Sequence, residues 1–207
     1  MKKYKPARLQ SFRPAFRSQL CPAAPGWSSR YRNMAAAASP LWRNWLLDNG
    51  SLTRRLQNLQ AGTFSVHLCG HGYAQASPME CLDLGLRSGS AVWYREVELN
   101  VGDQKLVQAR TVVPLHSGLA RLSPLSRLGN RSLGSYLFRQ PGLQRQTVRI
   151  HRCHSCVDSD ASWRWARRSI FTLNGQRLQV TEVFDGQAPV FAKLRLPSHR
   201  IHAPARR

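Results

Sequence analysis

Ala91-Val92-Trp93-Tyr94-Arg95-Glu96-Val97-Glu98-Leu99-Asn100, then Val101-Gly102-Asp103-Gln104, then a second run over 105–113, is the stretch whose reading decides the fold. Residues 91–100 alternate between two faces. Trp93, Arg95, Val97 and Leu99 fall on one; Val92, Tyr94, Glu96, Glu98 and Asn100 fall on the other. A period of two marks a strand, because successive side chains of an extended chain point to opposite sides. The turn around Gly102 leads into a second strand that Pro114 stops, so the pair reads as an antiparallel hairpin. Polar residues gather on the second face, which is expected to be the wetter one.

Working outward, Phe64, Val66 and Leu68 alternate, while 69–90, with Gly70, Gly72, Pro78, Gly85 and Gly89, reads as loop. Farther back, Ser39-Pro40 reads as N-cap and first position of a helix with Leu41, Trp45 and Leu46 on one face. Asp48-Asn49-Gly50 ends it. Ser51 caps a second helix with Leu52, Leu56 and Leu59 as its apolar positions and Arg54 and Arg55 as exposed cations. Beyond the hairpin, 119–128 and 133–138 read as helices broken at Gly129-Asn130. Strand signals return at 146–151 and 168–173, and Asn174-Gly175 turns the chain into a last strand at 177–184. Helices, antiparallel hairpins, helices and a hairpin make an α+β fold on a single antiparallel β-sheet.

Two charges stand on apolar faces. Arg95 sits between Trp93 and Val97, and Glu182 sits among Leu178, Val180 and Phe184. An unpaired ion in an apolar interior costs several kcal/mol, so each needs a partner or a ligand. Two readings follow. The residues pair with each other or with nearby backbone, or they line a closed pocket holding an anion receptor and a carboxyl that can act as acid or base.

The 207 residues carry 31 Lys+Arg against 10 Asp+Glu, a formal net charge of +21, with 42% hydrophobic residues. That content is enough for a real core and excludes a wholly disordered basic chain. No run of ~18 apolar residues suggests a membrane-spanning helix, so no stable membrane insertion is expected. Five cysteines, an odd number, suit a reducing compartment better than a disulfide framework, which points to the cytoplasm. No acid precedes Asp48. Residues 1–38 are expected to be a basic, Pro-containing extension, disordered or spurious, with Met34 as an alternative start. Residues 39–190 form the folded domain, and 191–207 a basic tail. The charge raises nucleic acid as a partner, but Trp, Tyr and Phe fall mostly at core-period positions rather than among exposed Lys and Arg, so none is expected.

Five segments, in order, resemble the bacterial chorismate pyruvate-lyase family. They are Trp93-Tyr94-Arg95-Glu96-Val97-Glu98-Leu99, Ala109-Arg110-Thr111-Val112-Val113-Pro114, Leu128-Gly129-Asn130-Arg131-Ser132-Leu133-Gly134-Ser135-Tyr136-Leu137-Phe138, Arg167-Arg168-Ser169 and Leu178-Gln179-Val180-Thr181-Glu182-Val183-Phe184. Trp45-Leu46-Leu47 and Ser51-Leu52-Thr53-Arg54-Arg55-Leu56 fit the same family, so the resemblance spans about 40–185. It implies an enzyme that splits chorismate into 4-hydroxybenzoate and pyruvate, the first committed step towards ubiquinone, without cofactor or metal. It also implies a six-stranded antiparallel sheet with two helix-turn-helix flaps over a buried ligand, and a monomer is expected. Carried over by position, the ligand-contacting arginine falls on Arg95, the glutamate on Glu182 and the second-flap leucine on Leu133. A flap methionine falls on Leu52, a departure that backbone contact should survive. On this assignment Arg95 and the Leu133 N–H take the ring carboxylate, and Glu182 meets the ring oxygen at the opposite end. Arg110 is a candidate second anion contact; pairing on the outer sheet face is its other reading.

Two features depart from the family. Residues 67–90 and His151-Arg152-Cys153-His154-Ser155-Cys156 are rich in Cys and His, and Cys-x-x-Cys with flanking His resembles half a zinc site that His67, Cys69 and His71 would complete. The resemblance argues for ordinary loop residues and no metal. The alternative function is a non-catalytic small-anion-binding module of the kind found in repressor effector domains, although residues 1–38 supply no winged DNA-binding domain.

Overall fold

The computed structural model describes residues 38–59, 62–115, 123–154, 163–186, 188 and 191; all of the expected extension but Ala38, and most of the expected basic tail, lie outside them. In chain order the elements are α1 (Pro40–Leu46), α2 (Leu52–Gln57), β1 (Phe64–Gln75), α3 (Pro78–Leu84), β2 (Ala91–Val101), β3 (Gln104–Pro114), α4 (Ser123–Ser126), α5 (Leu133–Leu137), β4 (Gln144–His154), β5 (Trp163–Leu173) and β6 (Gln176–Phe184). The strands form one sheet in the order β1-β2-β3-β6-β5-β4, every pair antiparallel. No helix among the described residues is long and apolar enough to cross a membrane.

The turn chemistry explains the corners. Asn174 (φ 51°) and Gly175 (φ 76°) both take the left-handed conformation that a tight two-residue hairpin needs. Ser39, Ser51 and Ser132 each accept a backbone N–H three residues on, starting α1, α2 and α5. The Asp48 carboxylate accepts from Gly50 N–H at 2.7 Å and closes the α1–α2 turn.

The segment 69–90 corrects the loop reading. β1 continues through Gly70 and Gly72 to Gln75, bulged between Leu68 and Gly70. An edge strand tolerates glycine and polar residues, which hid it. α3 then starts at a complete capping box. Ser77 Oγ accepts from Glu80 N–H, and Glu80 Oε2 accepts from Ser77 N–H, with Pro78 in the first turn. Strands β4 and β5 are also longer than their apolar cores suggested. Of the expected helix 119–128, residues 123–126 are helical and 116–122 lie outside the described residues.

The inner face of the sheet is covered in two pieces. α1 and α2 place Trp45, Leu46, Leu52 and Leu56 on Val97, Leu99, Val107 and Phe184. α4 and α5 place Leu125, Leu128 and Leu137 on Trp93, Val113, Phe171, Leu178 and Val180. Fully burying one such side chain is worth ~1.5–3 kcal/mol, so each helix pair is held by its apolar face. Ala38 and Phe191, just outside the expected 39–190 span, are buried in the first cluster, with Phe191 stacked against Trp42 and Trp45. Arg55 is not the exposed cation expected. It lies over the Trp45 ring at 3.7 Å, pairs with Asp48 at 3.1 Å and donates to Asn44, tying α2 to α1.

The outer face is not the wet face expected. Val92 and Val112 pack with Cys81 and Leu84 of α3. Around them, Arg110 of β3 donates to Glu80 (3.1 Å) and Glu96 of β2 (2.7 Å) and stacks on Tyr94. Asp83 binds Arg149 of β4, Arg168 of β5 (2.9 Å) and Gln179 of β6 (2.9 Å). One seven-residue helix therefore reaches four strands through two carboxylates, and Arg110 extends the network to Glu96 on β2. Its dense salt links are what the alternation at Glu96 concealed.

Candidate active site

The two helix pairs leave a gap in the middle rows of the inner face, and a partly open cavity fills it. Its walls include Leu52, Thr53, Arg95, Ala109, Thr111, Leu133, Gly134, Arg145, Phe171 and Glu182. All four residues expected in the site, Leu52, Arg95, Leu133 and Glu182, thus line one space. Arg110 does not: its partner in register is Glu96, and both point to the outer face, so its pairing role is the one realised.

Arg95 and Glu182 do not pair with each other. Register places Arg95 opposite Thr111, and Glu182 opposite Ala109, on either side of β3. They stand two strands across and two residues along, roughly 12 Å apart at Cα. Each finds another partner. Arg95 Nη2 donates to Gly129 O and Arg131 O, both at 2.8 Å. Glu182 Oε2 accepts from Arg167 Nε at 2.6 Å, and Glu182 lines the cavity.

These partnerships differ in charge. Arg95 is 2% exposed, and no acidic side chain among the described residues pairs with it. Its Nε is buried without a hydrogen-bond partner. Burial alone pushes its guanidinium below the usual arginine range, with no carboxylate to oppose the shift. Arg110 shows the contrast: burial works against its charge, but Glu80 and Glu96 outweigh it and hold the proton more firmly than usual. A buried guanidinium with spare donors and no counter-ion suits an incoming carboxylate.

The loop between α4 and α5 builds the Arg95 end of the cavity. Gly129 takes φ +52°, turning its carbonyl onto Arg95, and Asn130 Oδ1 caps the Leu68 N–H on edge strand β1. Leu52 and Leu133 occupy equivalent places, each the first residue of a Ser-capped helix on the cavity wall. The two helix pairs meet where Thr53 Oγ1 and Ser132 Oγ share a hydrogen bond of 2.6 Å. Gly134 permits that contact, because a Cβ there would fall 2.6 Å from Thr53 Oγ1 and 3.0 Å from Ser51 Oγ.

Two arginines were not singled out from the sequence. Arg167, 1% exposed, binds Glu182 and also donates Nη1 to Trp45 O (3.2 Å) and Asp48 O (3.1 Å) at the end of α1. Arg145 of β4 lines the cavity and donates to the same Asp48 O at 2.8 Å. Both stand in strand segments where an arginine ordinarily reads as solvent-facing; the inner-face register of Arg167, opposite Glu182, was the available signal. The residues of the zinc alternative do not come together as one site. His67, Cys69 and His71 are on β1, whereas His151 and Cys153 are on β4, the opposite edge of the sheet and roughly 24 Å away by strand spacing. Cys156 lies outside the described residues, and among these no group of three metal-ligating side chains forms.

A family model described as chorismate lyase matches residues 27–196. The chain is 40% identical over 182 residues to a probable chorismate pyruvate-lyase of Chromohalobacter salexigens, covering 84% of this chain and 96% of that protein. It is 36% identical over 156 residues to a probable chorismate pyruvate-lyase of Methylococcus capsulatus, covering 68% and 92%. Among solved structures, the effector domain of PhnF from Mycobacterium smegmatis shares the fold, with a TM-score of 0.52 at 16% identity over 67% of this chain and 90% of that one.

Proposed function

This chain belongs to the chorismate lyase family, and we propose that its inner-face cavity takes chorismate and releases 4-hydroxybenzoate and pyruvate, the committing step towards ubiquinone. The observation that carries this reading is Arg95, a buried guanidinium without a counter-ion, facing a single carboxylate across an apolar space. A para-substituted ring fits that polarity, with its carboxylate at Arg95 and its hydroxyl at Glu182. The Leu133 N–H, at the start of α5, adds a second donor to the ring carboxylate, and the Leu52 backbone closes the site from α2.

The chemistry needs little from the protein beyond position and dryness. The ring C–O bond to the enolpyruvyl group breaks, and its electrons leave on oxygen. The C–H bond on the neighbouring ring carbon supplies the electrons of the new ring double bond. Its hydrogen reaches the methylene carbon of the leaving enol, which becomes pyruvate. Aromatisation drives the step, so the cavity mainly holds one conformer and excludes water. Glu182 serves as an orienting acceptor for the substrate hydroxyl, itself held by Arg167 on Oε2. The reading extends to a cytoplasmic, monomeric enzyme that draws on no cofactor. Purified protein incubated with chorismate should release 4-hydroxybenzoate and pyruvate in equal amounts. Tight binding of 4-hydroxybenzoate without turnover would identify an anion-binding module instead.

A further inference from the structure

Four inner-face residues form one row across the sheet. Arg95 of β2 stands opposite Thr111 of β3, Thr111 opposite Val180 of β6, and Val180 opposite Ser169 of β5. Arg95, Thr111 and Val180 line the cavity, as do Phe171 and Glu182, which neighbour Ser169 on the same face. Each end of the row carries a buried polar atom with no hydrogen-bond partner among the described residues: Arg95 Nε and Ser169 Oγ. Ser169 is 1% exposed. A hydroxyl buried in this way costs stability and gives the fold nothing in return, which marks a group kept for a ligand.

Position decides which ligand atom it meets. From midway between Arg95 and Glu182, where the ring would lie, the directions to Glu182 and to Ser169 diverge by roughly 55° at ~4.8 Å per strand and ~3.4 Å per residue, close to the ~60° between neighbouring substituents of a six-membered ring. With the ring hydroxyl at Glu182, the carbon beside it faces Ser169. In chorismate that carbon bears the ether oxygen; in 4-hydroxybenzoate it bears only hydrogen. Resting on the functional reading above, we propose that Ser169 Oγ–H donates a hydrogen bond to the ether oxygen and is a catalytic residue of the C–O cleavage. As that bond breaks, its electrons pass to the oxygen, which becomes the carbonyl oxygen of pyruvate, while the ring hydrogen moves to the methylene carbon. Ser169 keeps its proton throughout, and its O–H dipole meets the negative charge that builds on the departing oxygen.

The test reads turnover, product affinity and stability in one variant. Ser169→Ala removes only the hydroxyl. Its kcat for chorismate should fall about 10- to 100-fold, while Kd for 4-hydroxybenzoate, by calorimetric titration, stays within about threefold. Its thermal unfolding midpoint should hold or rise, since the fold loses no hydrogen bond. Ser169→Cys, a weaker donor, should turn over at a rate between Ser169→Ala and the parent. Unchanged kcat in Ser169→Ala, or turnover and 4-hydroxybenzoate affinity falling together, overturns the assignment. A midpoint lowered by more than about 4 °C, or failure to fold, makes the hydroxyl part of the fold and overturns it as well. In each of these cases a parent that still makes 4-hydroxybenzoate leaves the functional reading standing. Parent protein that releases no 4-hydroxybenzoate from chorismate overturns that reading, and this assignment with it.

Discussion

The two faces of this sheet bury arginines in opposite ways. Under α3 on the outer face, Arg110, Arg149 and Arg168 meet Glu80, Glu96 and Asp83, three cations against three carboxylates. On the inner face, Arg167 pairs with Glu182, whereas Arg95 meets only the Gly129 and Arg131 carbonyls. The outer set closes on itself and leaves nothing for a ligand. On the inner face Arg95 keeps a buried charge that no acidic side chain among the described residues balances. Buried charge that is balanced by its neighbours acts as structure; buried charge left over marks a site. The distinction matters in a chain of net charge +21, where arginine count alone points everywhere.

The largest loss of stability is expected where the balanced side is broken. Asp83→Ala leaves Arg149 and Arg168 without their carboxylate and Gln179 without its acceptor, and should cost about 3–5 kcal/mol in chemical or thermal unfolding. A loss below about 1 kcal/mol would mean that α3 is held by Cys81 and Leu84 rather than by its charges. Glu182→Gln comes next. Gln still accepts from Arg167 but brings no charge, so about 1–3 kcal/mol is expected. Turnover should fall by less than about a hundredfold, as befits an orienting group; a larger fall with 4-hydroxybenzoate binding intact would make Glu182 a proton carrier.

Gly134→Ala probes the roof of the inner face. Its methyl would press on Thr53 and Ser51, parting the two helix pairs at about 1–3 kcal/mol and weakening 4-hydroxybenzoate binding. Thr53→Ala in the same chain should recover part of that loss, since the closest atom is Thr53 Oγ1. No recovery would place the strain elsewhere.

Much of this frame was legible in the residues. The β2–β3 alternation, the Asn174-Gly175 turn and the Ser caps of α1, α2 and α5 are local signals, and each is realised locally. Arg95 and Glu182 stood out because a charge broke an apolar row. The stretch 69–90 was not legible as strand and helix, since an edge strand accepts glycine and α3 is only seven residues long. Ser77-Pro78-Met79-Glu80 was the signal available there. Arg145 escaped for a different reason: which β4 side chains reach the cavity depends on the strand order β6-β5-β4, which no local pattern encodes, whereas the Asn174-Gly175 turn already sets Arg167 opposite Glu182.

The smallest change in stability should come from the residue that matters most for binding. Arg95→Met keeps the aliphatic stem and removes a buried charge that no carboxylate balances, so unfolding free energy should move by less than about 1 kcal/mol. Affinity for 4-hydroxybenzoate, titrated on the same sample, should fall by about 2–5 kcal/mol. Retained affinity together with a large loss of stability would contradict the account, because Arg95 would then belong with the balanced arginines of the outer face.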